Sequence, residues 1–265
     1  MKDSEYETPR IHAEKPCLAI NVDNLTCAYG DKVILKDVFF SVKEREILFI
    51  IGGSGCGKST LLRCMIGLCS PSSGEIRYFG KSFLNASEEE QRDILKSFGV
   101  LYQSNALWSS MTIAENIALP LEQYTALKKE EIAAIVGLKL KQVGLPGVQE
   151  FYPRELSGGM KKRAALARAL ALDPKIVFFD EPTSGLDPIT ARGMDDLIAE
   201  VSAQFGTTMV IVSHELTSIF RLANRVLLLD GEVQGIIADG SPQQLSEETH
   251  DQRIIKFFDQ KLMTS

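Results

Sequence analysis

The chain is expected to fold as an α/β protein: a parallel sheet covered on both faces, an antiparallel β layer beside it, and a helical segment inserted between strands. Three patterns lead there. The stretches at 47–51 (ILFII), 98–102, 175–180 and 208–213 are near-continuous apolar runs of strand length, as strands buried on two faces should be. The stretches 18–29 (LAINVDNLTCAY), 33–42 (VILKDVFFSV) and 74–80 (GEIRYFG) alternate like strands of an antiparallel layer. Residues 104–172, with AENIALPLEQY, KKEEIAAIVGLKLKQVG and LSGGMKKRAALARAL, read as mostly helical. A length of 265 residues, 45% hydrophobic and 24% charged, suits one large domain or a domain with a subdomain.

Taken in order, residues 1–16 are polar and mixed in charge, without an apolar leader, and read as a flexible extension. Five cysteines at 17, 27, 56, 64 and 69 form no CxxC pair, which points to reduced thiols. Net charge is −6, from 29 basic and 35 acidic residues, so nucleic acid is not an expected partner. The longest apolar runs are far too short to span a bilayer.

The stretch 47–68 runs from apolar strand through a Gly-rich turn to an amphipathic helix. Gly52, Gly53, Ser54, Gly55, Cys56, Gly57, Lys58 and Ser59 fit the phosphate-loop pattern G-x-x-x-x-G-K-[ST]. The glycines let backbone amides close on phosphates, Lys58 adds a point charge, and the Ser59 hydroxyl can ligate Mg2+. Cys56 lies inside this loop, so its alkylation is expected to block the nucleotide and bound ATP to protect it. A second turn, Ser157-Gly158-Gly159, opens a helix and is a second plausible phosphate cradle.

The strand at 175–180 ends in two carboxylates. Asp180 can hold Mg2+ through a water, and Glu181 can orient and deprotonate the water that attacks a γ-phosphate. The strand at 208–213 leads into His214, at the same edge of a parallel sheet as the other two loops. Residues 225–240 look like a hairpin, and 246–260 (SEETHDQRIIKFFDQ) like one closing helix in which Phe257 and Phe258 pack.

In order and spacing, the Lys58 loop, Gln103 in LYQS, LSGGM, FFDEP, SGLD and VSHE resemble an ABC-type ATPase subunit over residues 18 to about 240. The resemblance implies a P-loop NTPase (RecA-like) core with an antiparallel β layer and a helical subdomain at about 104–172. It places the ATPase domain at 17–240 and a helical tail at 241–265. It also implies roles: Glu181, His214 and Lys58 in catalysis; Ser59, Gln103 and Asp180 at Mg2+. ATP would be bound by Tyr29, stacked on adenine, by residues 52–59 with Thr60, and by Gln103. Ser157, Gly158, Gly159 and Asp187 would complete that set from across a head-to-tail dimer, each ATP lying between two copies of the chain. The two cradles then serve two different nucleotides.

The block 101–121 (LYQSNALWSSMTIAENIALPL), LSGGMKKRAALARALALDP and GLDPIT are similar to the MlaF/Mkl group, which energises lipid transport by systems containing MCE proteins. The tail THDQRIIKFFDQ is similar to that group's tail. Met160 stands where Gln is common in the signature, and Ser104, Asn105 and Trp108 depart from the group's usual loop. This likeness implies a polytopic permease of MlaE type, an MCE-domain partner, and a peripheral place on the cytoplasmic face of the inner membrane. Two alternatives share the catalytic residues: an ABC transporter for an amino acid or peptide, and a soluble ABC ATPase. Trp108 reads either as an interface anchor for the permease or as subdomain core.

Overall fold

The structure is a computed structural model that describes residues 17–247 and 250–262; the extension expected at 1–16 lies outside the described residues. β1 (Leu18–Tyr29) and β2 (Lys32–Lys43) form an antiparallel hairpin. β3 (Ile47–Gly52) then enters a second sheet and is followed by α1 (Lys58–Met65). β4 (Ser73–Tyr78) and β5 (Lys81–Ser82) return to the first sheet, whose order is β2-β1-β4-β5. After α2 (Glu88–Lys96) and β6 (Phe98–Leu101) comes the helical run of α3 (Ile113–Tyr124), α4 (Lys129–Gln142) and α5 (Gly158–Ala169). The chain continues through β7 (Ile176–Asp180), α6 (Pro188–Phe205), β8 (Thr208–Val212), α7 (Leu216–Leu222), β9 (Arg225–Asp230) and β10 (Gly235–Gly240). α8 (Pro242–Glu247) and α9 (Gln252–Leu262) close it.

The second sheet has the order β10-β9-β3-β8-β7-β6, with β9, β3, β8, β7 and β6 parallel. Alternate side chains of each strand point to opposite faces, and here both faces are buried. Leu48, Ile50, Phe178 and Val210 pack against the antiparallel layer and α1. Phe49, Ile51, Phe179 and Ile211 pack against α3–α7. A strand with a core on each side has no solvent face, which is why its sequence shows an unbroken apolar run rather than alternation.

The topology also builds the site. β3, β8 and β7 lie side by side and parallel, so their C-terminal ends, and the loops that leave them, meet at one edge of the sheet.

Two expectations change. The stretch 225–240 is a hairpin, but β9 also pairs in parallel with β3 and so completes the central sheet. The expected single closing helix is, over its described part, two. Ser241 caps α8, whose first residue is Pro242, and Asp251 accepts from the Arg253 N–H at the start of α9. Phe258 is buried against Phe220, with ring centroids 5.8 Å apart, and Phe257 packs on Phe258.

Candidate active site

The phosphate loop spans the turn between β3 and α1. Gly57 has φ 105 and begins α1 without any side-chain cap, so the first amides of the helix point into the loop. A Cβ on Gly57 would stand 2.8 Å from Leu35 Cδ2, and one on Gly52 would run into the Leu229 carbonyl. The loop is thus pressed onto β2 and β9, and only glycine fits at these points. Lys58 Nζ folds back to donate to the Gly52 and Gly53 carbonyls, each at 2.9 Å. Gly53, Ser54, Gly55 and Ser59 remain exposed, and Thr60 is half-buried.

Cys56 departs from expectation. It is 3% exposed, and its thiol lies inward within the core of the antiparallel layer, against Gly52. The thiol is also within 3.8 Å of Lys58 Nζ, on the buried side of the loop. Native protein treated with iodoacetamide should therefore label exposed Cys17 and half-buried Cys69 well before Cys56, with or without ATP. Peptide mapping that found Cys56 labelled first and shielded by ATP would restore the phosphate-facing thiol.

At the end of β7, Asp180 is half-buried, and burial together with the charge of Glu181 pushes its carboxyl above the usual carboxylate range. Lys58 and Arg63 oppose that shift. Glu181 turns the chain with φ 50, a left-handed conformation uncommon outside glycine. Its N–H donates to the Val212 carbonyl at 2.9 Å, and its carbonyl accepts from Ser184 N–H at 3.3 Å and from Lys162 Nζ at 3.1 Å. The carboxylate is buried. Oε1 is 2.7 Å from His214 Nδ1, whereas Oε2 has no hydrogen-bond partner. An unpartnered buried carboxylate oxygen is costly unless a ligand meets it.

These groups fit Mg2+. The Ser59 hydroxyl and the Asp180 carboxyl are hard oxygen donors, and a cation relieves the mutual repulsion of Asp180 and Glu181. Among the described residues no cluster of three or more His, Cys, Asp or Glu could hold a metal. Few protein ligands is the habit of Mg2+ bound along with phosphate.

The remaining expected residues fall elsewhere. Tyr29, half-exposed at the end of β1, touches the Cys69 thiol at 3.6 Å. Gln103 is exposed in the loop after β6. Ser157 caps α5 by accepting from Met160 N–H at 3.3 Å. Next to it, a Cβ on Gly159 would run into Thr190, while one on Gly158 would meet only Leu186 Cδ2 at 3.9 Å. Asp187 caps α6 through two bonds of 3.1 Å to the Ile189 and Thr190 N–H groups, and the bonds from Thr190 hold its carboxyl low. Two groups result: the phosphate loop with Asp180, Glu181 and His214, and a second made of Ser157–Gly159 beside Asp187.

Three residues that the sequence reading passed over hold this frame. Lys162 is buried. Arg168 donates to the carbonyls of Asn105 and Ala106, both left-handed, at 3.0 and 2.7 Å. Asn116, wholly buried, braces Trp108 by accepting from its N–H at 2.7 Å. Lys162 did leave a signal, since it shares its helix stripe with Ala165, Leu166 and Ala169 at i+3, i+4 and i+7.

A parallel sheet in which one inner strand feeds a glycine phosphate loop, and paired carboxylates end the next strand but one, defines a P-loop nucleotide hydrolase. The chain belongs to the ABC transporter family: the model of that family, described as "ABC transporter", matches residues 35–184. It is 39% identical over 238 residues to the intermembrane phospholipid transport system ATP-binding protein MlaF of Haemophilus influenzae, covering 90% of this chain and 89% of that one. It is also 40% identical over 233 residues to the methionine import ATP-binding protein MetN of Campylobacter jejuni, covering 82% and 69%. A solved dimer of the ATP-binding cassette MJ0796 in a post-hydrolysis state with ADP and Pi superposes with TM-score 0.76 at 30% identity, covering 84% of this chain and 98% of that one. The chain is an ATP-binding ATPase subunit coupled to transport, and its likeness to the MlaF/Mkl group holds.

Proposed function

We propose that this chain is the motor of a transporter that moves phospholipid or a related amphiphile at the inner membrane, working from its cytoplasmic face as a head-to-tail dimer. The buried, half-satisfied carboxylate of Glu181 carries the catalytic part of this reading. Glu181 takes the proton of the attacking water through Oε2, while His214 holds Oε1 and reaches toward the γ-phosphate. Lys58 and the loop amides bind the β- and γ-phosphates, and Tyr29 stacks on adenine. Ser59, Gln103 and Asp180 hold Mg2+, which neutralises phosphate charge when bound. In the dimer, Ser157–Gly159 close on the nucleotide of the other copy and Asp187 lies across the interface.

The lipid cargo is favoured by the likeness to MlaF along nine-tenths of the chain. The likeness to MetN supports a second reading, an importer of another small substrate with the same motor. Among the described residues no helix is long and apolar enough to cross a membrane; in either reading the motor drives a permease. Trp108, 61% exposed, sits with Tyr102, Leu119, Pro120, Tyr124 and Arg168 around a groove of about 490 Å³ beside the Gln103 loop, which suits an aromatic anchor for that permease.

Purification from detergent-solubilised membranes, with mass spectrometry of what remains bound, decides between cargoes. An MlaE-type permease with an MCE-domain protein is the expected result; a permease of an amino-acid or peptide importer would establish the second reading, and no membrane protein at all would sink both. In the same assay Trp108→Ala should shift the subunit's Tm by less than about 2 °C, since an exposed ring leaves no cavity, yet lose most of the permease. A large drop in Tm with normal capture would return Trp108 to the core.

A further inference from the structure

Lys162 is the one feature of α5 that its packing does not explain. It is 4% exposed, on a stripe otherwise filled by alanine and leucine. A buried ammonium is disfavoured against an apolar residue unless its hydrogens are used. They are used on two backbone carbonyls, that of Glu181 at 3.1 Å and that of Gln103 at 3.5 Å. Each belongs to a loop leaving a strand of the central sheet, β7 in one case and β6 in the other.

The grip falls where the chain leaves β7. Glu181 sits at φ 50: its N–H still bonds to Val212 at the end of β8, while its carbonyl turns out of the sheet and accepts from Ser184 N–H. Lys162 supplies a further anchor on that peptide, and the peptide sets where the carboxylate projects. The same helix begins five residues earlier at Ser157, whose neighbours Gly158 and Gly159 form the second cradle.

We infer that Lys162 is a positioning residue. It fixes the Glu181 peptide so that Oε2 faces the attacking water, and it makes that peptide move with the helix whose N-terminus reads the other copy's nucleotide. Engagement of one ATP by Ser157–Gly159 is thereby transmitted to the general base serving the other. The inference rests on Glu181 being that base, and it adds a part that the bare catalytic set lacks.

Steady-state ATPase kinetics of the full-length protein test it. Lys162→Met, which removes the donors but fills the space, should lower kcat about tenfold, as a base displaced by a fraction of an ångström would, with KM within about twofold of the parent. Lys162→Gln keeps an N–H donor on a shorter arm and should lose only about threefold in kcat, a partial rescue that a mere space-filling role would not give. Because Lys162 acts through Glu181, neither change should slow the Glu181→Gln variant any further. Losses that multiply in the double variant, or a kcat for Lys162→Met within twofold of the parent, overturn the inference. If the methionine variant does not fold, the glutamine pair decides alone: its loss must vanish in the Glu181→Gln background. Full activity in Glu181→Gln by itself would instead remove the base assignment, whatever Lys162 does.

Discussion

Glu181→Gln is expected to bind ATP as the parent does and to hydrolyse it at least about a hundredfold more slowly, because an amide cannot accept the proton of the attacking water. The substitution is nearly isosteric and removes a buried charge whose Oε2 has no partner, so the fold should not suffer. His214 can still bond the amide from the position it holds at 2.7 Å. Phosphate release measured beside fluorescent-nucleotide binding separates the two effects. Hydrolysis within tenfold of the parent would mean that the proton leaves by another group, and a lost affinity would mean that Glu181 binds rather than reacts.

The second large effect concerns the dimer. In the Glu181→Gln background, where ATP is held but not consumed, the parent signature should give an ATP-dependent dimer in size exclusion with light scattering. Adding Gly158→Asp should abolish it, since a carboxylate would then face the partner's γ-phosphate. Gly158 is the better site than Gly159: its Cβ has room beside Leu186, whereas one on Gly159 would strike Thr190 and confuse repulsion with misfolding. An aspartate in the first turn of α5 is also favourable to the helix itself. ATP should still bind the monomer. A dimer that persists with ATP would show that Ser157–Gly159 do not meet a nucleotide across an interface.

What the sequence disclosed, and what it did not, divides on physical lines. The central strands were legible because Phe178 and Phe179, adjacent in sequence, are both fully buried on opposite faces, which leaves an apolar run as its trace. The phosphate loop was legible because its glycines answer to a local backbone need. The convergence of Glu181 and His214 followed from placing both at the ends of parallel strands. The direction of the Cys56 thiol was not legible, since a loop pattern specifies amides and not which side a small side chain takes. Nor was the second pairing of β9, which depends on register with a strand far earlier in the chain. The carbonyls met by Lys162 depend on how α5 lies over β6 and β7. The exposure of Trp108 was not legible either, because it is a property of the assembled groove.

The pairing of β3 has a consequence for synthesis. Ile47 pairs with Met209, and Leu48 with Arg225, so the strand that carries the phosphate loop has both its neighbours more than half the chain away. On a ribosome moving at ~5–20 residues per second, ILFII waits about ten to thirty seconds for a partner. During that interval an apolar, high-β segment with two open edges is exposed while the β1–β2 hairpin beside it can already close. Nucleotide cannot stabilise the nascent chain, because the cradle has no floor until β9 arrives beneath Gly52. Translation pauses and chaperone contact should therefore matter most between the emergence of residue 52 and that of residue 230.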